Sequence, residues 1–194
     1  REKMAREIKI IKDTELSLVF VASSASFNNT VGYFTYKSGT VPTPETVQKV
    51  LAFPNASPIS KTDKNTGERL GSLLCGHEVK LKYWNEAEQK FEDKFPAGVT
   101  VGWSLQANAF KSGDILKGIG IRYSYSTMNY DNSQRVVALR DGGTDQIVAI
   151  GFEDNVDFDY CDATFYLKIA EANAIDPGGP ELPPVDPPSN VTTT

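Results

Sequence analysis

Histidine is almost missing from this chain. His77 is the single one in 194 residues. It has no evident nucleophile partner, and in "CGH" ahead of an alternating stretch it reads as a strand-entry residue. The sequence holds no G-x-S-x-G, no Gly-rich phosphate loop and no H-E-x-x-H. With these absent, the chain is read as noncatalytic. Cysteine is nearly as scarce. Cys75 and Cys161 form no C-x-x-C pair, which argues against a zinc site. They are either one disulfide, which would suit an exported protein, or two free, buried thiols.

Basic charge is also in deficit. The net charge is −5 and the pI about 5.0. Nucleic acid and anionic membranes need a basic surface, so neither is expected as the main partner. No run approaches the roughly 20 apolar residues that cross a bilayer, so no membrane span is expected in this segment. The sequence starts at Arg1 and is read as a piece of a longer protein, with the adjacent domain of that parent as its first partner.

What is plentiful is aromatic and β-branched. Hydrophobic residues make up 40% and charged residues 23%, with eight Tyr and ten Phe, a balance that suits a soluble β-rich domain. "LSLVFVASSA" (16–25), "VGYFTYKSG" (31–39), "HEVKLKYW" (77–84), "VTVGWSLQANAF" (99–110) and "ATFYLKIA" (163–170) read as strands. "RVVALRDGGTDQIVAIGF" (135–152) reads as a hairpin turning at Asp141, Gly142 and Gly143. "TVPTPETVQKVLAF" (40–53) predicts one short helix, with Thr43 as cap and Pro44 at the first helical position. The fold class expected is all-β: an antiparallel, jelly-roll-like sandwich with one short helix. Its expected extent is 16–172, after an N-terminal connector (1–15) and before a Pro-rich linker (173–194), where six of the eleven prolines fall.

One stretch stands apart. "GFEDNVDFDYCDATFYL" (151–167) sets Glu153, Asp154, Asp157, Asp159 and Asp162 within ten positions, uninterrupted by Lys, Arg or His and flanked by apolar strands. Like charges held close at the rim of a core repel, and something must offset that. Three readings are open. The loop is solvated; or it binds a hard cation such as calcium, which takes six to eight oxygens from carboxylates and carbonyls; or two acids act as a glycosidase pair. Five acids in one short loop resemble a cation cage more than a separated pair. The spacing is not that of an EF-hand: counting from Asp157, the sixth position is Asp162 and the twelfth is Lys168.

Four stretches, "NNTVGYFTY" (28–36), "FPAGVTVGWSLQANAF" (95–110), "RVVALRD" (135–141) and "IVAIGFEDNVDFDYCDATFYL" (147–167), resemble a bacterial family catalogued as a domain of unknown function. That family recurs in exported "choice-of-anchor" and LruC-type surface proteins. The resemblance implies an extracellular or cell-surface β-sandwich. It implies a calcium site falling on Glu153, Asp154, Asp157, Asp159 and Asp162, with Cys161 standing where Asn is usual. Asn28 and Asn29 are either turn residues or amides supporting the site. The function expected is a noncatalytic module whose calcium is mainly structural. The alternative is a lectin-like adhesin in which calcium or the aromatics Trp84, Trp103, Tyr123 and Tyr125 contact a glycan.

Overall fold

A strand with one face in a core must alternate, because successive side chains point to opposite faces. Residues 163–169 do so: Ala163, Phe165, Leu167 and Ile169 are buried, while Tyr166 and Lys168 are exposed. Leu16, Leu18 and Phe20 repeat the pattern. The computed structural model describes residues 2–5, 7–25, 28–111, 114–115, 120–141, 147–153 and 162–176. Their strands are β1 (Glu2–Ala5), β2 (Ile8–Lys9), β3 (Leu16–Ala22), β4 (Thr30–Lys37), β5 (Val50–Phe53), β6 (Glu78–Lys80), β7 (Tyr83–Asn85) and β8 (Lys90–Glu92). There follow β9 (Val99–Ala107), β10 (Phe110–Lys111), β11 (Asp114–Ile115), β12 (Gly120–Tyr123), β13 (Val136–Asp141), β14 (Ile147–Phe152) and β15 (Ala163–Ile169).

Among the described residues, beside the two-stranded pairs β7–β8 and β10–β11, two large antiparallel sheets form the sandwich. One runs β1-β13-β14-β15-β3-β6, the other β12-β9-β4-β5 with β2 beside β9. Their inner faces share one core, with Val31, Tyr33, Val101, Trp103 and Leu105 meeting Leu18, Phe20, Ile150, Phe152 and Phe165. The buried Tyr33 hydroxyl accepts the Lys82 N–H and donates to the Lys82 carbonyl, both at 2.8 Å, so the phenol is satisfied inside the core. The chain is therefore an all-β antiparallel sandwich. No helix among the described residues is long and apolar enough to cross a membrane.

The expected helix at 40–53 is not there. Thr43 and Thr46 bond each other's side chain and backbone in a turn, and Val50–Phe53 becomes an edge strand paired with β4. A Thr-Pro cap signature serves a turn as readily as a helix. The β-branched Val50 favours the strand, where Ala52 and Phe53 can be buried. The one helical element among the described residues is a 3-10 turn at Ser126–Met128.

The first fifteen residues also do more than connect. Ile8 and Ile10 lie in the core. β1 pairs β13 in one sheet and β2 pairs β9 in the other, so this stretch clasps both sheets. Between them Glu7 is buried and accepts bonds from the Tyr36 and Ser124 hydroxyls, each 3.1 Å. At the other end Ile175 is buried and bridges Ile10, and the Asp176 N–H bonds the Lys9 carbonyl at 2.9 Å. The folded unit thus includes residues assigned from sequence to the flanking segments.

The outer face of the β12-β9-β4-β5 sheet carries a second, smaller cluster of Phe34, Tyr123 and Met128, with Tyr36 and Tyr125 packed on it. Gly102 makes room for it: a Cβ there would stand 2.4 Å from the Phe34 ring.

Candidate metal centre

β13, β14 and β15 are neighbours, so the ends of all three meet at one rim of the sheet. The last β14–β15 pair is Phe152↔Ala163. Glu153 and Asp162 are the next residue on each side, and they stand face to face at the mouth of the acidic connection. The Asp162 N–H still reaches the Phe152 carbonyl at 3.1 Å, and the Ser23 hydroxyl donates to the Asp162 carbonyl at 2.7 Å. Glu153 is 0% exposed and Asp162 is 8% exposed. Two carboxylates at the mouth of one connection are thus both withdrawn from water. Asp154, Asp157 and Asp159 lie outside the described residues, as does Cys161. Among the described residues, no three His, Cys, Asp or Glu side chains stand together as a cation site.

The same rim holds a cation that linear spacing did not reveal. The Glu153 N–H donates to the Arg135 carbonyl at 2.8 Å, extending the β13–β14 ladder one pair beyond Val136↔Phe152. Arg135 is 2% exposed. Its Nε donates to the Ser133 hydroxyl at 2.7 Å and its Nη2 to Asp131 at 3.0 Å. The signal was available: an Arg opening an apolar run that pairs with the strand leading into the acids.

Asp131 is tuned by this arrangement. Burial pushes its pKa up, but bonds from the Ser133 hydroxyl and N–H and the Arg135 charge outweigh that and hold it below its ordinary 3.8. A depressed folded-state value means stability that is present above 3.8 and lost as pH falls through the folded value. Asp131→Asn should therefore lower the melting temperature at neutral pH, and its gap to the parent should close below about pH 3.8. Parallel thermal melts from about pH 2 to about pH 7 check it. A gap that stays constant with pH would mean packing, not charge, is lost.

The other residues singled out from sequence are placed elsewhere. Asn29 accepts the Asn108 N–H at 2.9 Å and Asn28 donates to the Leu70 carbonyl at 3.2 Å, so both amides tie loops together. The His77 carbonyl accepts the Phe20 N–H on entry to β6, as a strand-entry residue would. Cys75 is a free thiol, and it is exposed where burial was expected, on a turn closed by the His77 N–H to the Leu74 carbonyl. Of the aromatics, Trp103 and Tyr123 are buried, Tyr125 packs on Tyr36, and Trp84 packs on Phe91 in the β7–β8 hairpin. Tyr130, which sequence reading passed over, is 81% exposed beside a groove of about 430 Å³ lined by Pro44, Ile121, Arg122, Tyr123 and Met128.

Residues 95–170 match the family model described as Domain of unknown function (DUF4114). Three of the four stretches, 95–110, 135–141 and 147–167, fall inside this match, and the resemblance to a domain of unknown function is borne out there. The DUF4114 match spans β9 to β15 and both ends of the acidic connection. Neither a curated protein nor a solved structure matches the chain.

The residues at this rim suit a hard cation in kind. They offer carboxylate oxygen and no imidazole. In such a centre Glu153 and Asp162 would serve from the two ends, with Asp154, Asp157 and Asp159 as the remaining carboxylates. The ion would supply charge neutralisation and a fixed geometry for the entry to β15.

Proposed function

We propose that this is a noncatalytic calcium-binding sandwich module of an exported or surface-displayed bacterial protein, in which the ion is mainly structural. The observation that carries this reading is the burial of Glu153 and Asp162 opposite each other, at the two ends of a connection holding three more acids. Withdrawing carboxylates from water is costly unless a positive charge compensates. A divalent cation would compensate several at once and would hold β14 to β15 where the ladder stops. The parent protein's neighbouring domain is the expected partner.

The test is differential. Asp157→Ala and Asp159→Ala should each lower the melting temperature in calcium, because each removes a ligand. In chelator each should be neutral or slightly stabilising, because it relieves repulsion. Thermal melts of both variants in the two conditions read this directly. Equal losses in calcium and chelator would show that these residues act by packing or capping.

One observation favours a second reading. The exposed ring of Tyr130 beside its groove is the kind of platform on which a sugar stacks. A glycan array probed with the parent and with Tyr130→Ala separates a lectin-like adhesin from a purely structural module.

A further inference from the structure

We infer that Arg135 is a built-in counter-cation of the acidic connection, which keeps the module folded when calcium is absent and moderates how tightly calcium binds; this rests on the calcium reading above. Arg135 and Glu153 occupy opposite positions of one antiparallel ladder, joined by the 2.8 Å backbone bond. Opposite residues of such a pair project to the same side, with Cβ atoms about 4.5–5.5 Å apart. Both side chains are withdrawn from water, and a guanidinium does not lose its proton there. A buried cation and a buried anion at facing positions compensate each other, whereas either alone would be strongly disfavoured.

The far side of the guanidinium is anchored. Asp131 and Ser133 hold its Nη2 and Nε. Ser133 in turn donates its hydroxyl and N–H to one Asp131 oxygen, at 2.6 and 3.0 Å. The Asn129 amide bonds the Ser133 carbonyl at 2.8 Å and both the N–H and the carbonyl of Tyr123. This knot ties the guanidinium to the end of β12, and Arg135 is the residue that stands opposite Glu153 in the ladder. One positive charge is fewer than the five acids of residues 153–162, so a divalent ion would still have a role. It binds more weakly than it would without that charge beside it.

The experiment uses Arg135→Met, Arg135→Lys and Glu153→Gln in the full chain, with the Arg135→Met/Glu153→Gln double variant. Melting temperature is read in chelator and in saturating calcium, and calcium affinity by calorimetry. Arg135→Met should lose more stability in chelator than in calcium, and should bind calcium about tenfold more tightly. In chelator, adding Glu153→Gln to Arg135→Met should restore part of the loss, and Arg135→Lys should lose least. Equal losses in both conditions, with Glu153→Gln merely adding to them, would overturn the inference and leave Arg135 as a partner of Asp131 alone. Should Arg135→Met not fold, the same comparison is made with Glu153→Gln in the Arg135→Lys background. If the parent binds no calcium, the calcium reading fails by itself. The Arg135–Glu153 coupling in chelator still decides the counter-cation.

Discussion

Deleting residues 1–10 should leave most of the chain unfolded, while deleting residues 177–194 should leave its melting temperature almost unchanged. The first deletion removes Ile8 and Ile10 from the core and strips β1 from β13 and β2 from β9. Truncating one buried isoleucine to alanine costs about 2–5 kcal/mol, and a domain's whole stability is about 5–15 kcal/mol. Losing two such side chains, two strand pairings and the carboxylate that Tyr36 and Ser124 bond exceeds what a typical domain can lose. The second deletion removes a Pro-rich stretch with few apolar side chains to bury. The dividing point matters. A cut before Ile175 takes away a buried side chain and the bridge to Ile10, and should be as damaging as a core mutation. Circular-dichroism melts of the truncations distinguish these outcomes; a stable, cooperative chain lacking 1–10 would show that the clasp is dispensable.

Phe165→Ala should be the most damaging single change of the final strand, at about 3–5 kcal/mol. Its ring packs on Phe20 at 5.7 Å, Phe53 at 5.2 Å and Phe152 at 5.7 Å between centroids. Phe53 comes from one sheet and the other two from the opposite one, so this ring joins the two layers. It also lies three residues beyond Asp162, on the strand that the acidic connection feeds. A structural ion at that entry adds the same increment to this variant as to the parent when its affinity is unchanged, so the loss should be as large in calcium as in chelator. Chemical denaturation of Phe165→Ala and the milder Phe165→Leu, each in calcium and in chelator, reads the loss and its independence of calcium. A loss below about 1 kcal/mol would mean the core closes over the gap.

The strands were readable because each needed only local alternation. Leu16-Leu18-Phe20, Val101-Trp103-Leu105 and Ala163-Phe165-Leu167-Ile169 are all buried as the period-two pattern requires. Two misreadings have distinct causes. At Thr43-Pro44 the local signals of a helix start and of a turn coincide, and pairing with β4 decides between them. In "EIKIIK" charge masked an alternation that Ile8 and Ile10 obey, and the composition of the stretch suggested a solvated connector. At the candidate centre the acids were legible as a cluster. Their relation to the core was not, because the burial of Glu153 and the presence of Arg135 come from a partner strand. Cross-strand partners leave no mark in linear spacing unless the pairing register is already known.

Calcium titration of the metal-stripped chain, followed by thermal melting and by elemental analysis of the bound ion, tests the central claim most directly. A ligand that binds only the folded state stabilises it by about 2.7 kcal/mol at a hundredfold excess over its dissociation constant. The melting temperature should rise with calcium, return on adding chelator, and rise far less in Asp157→Ala. No rise in the stripped parent, together with no calcium found by elemental analysis, would contradict the account.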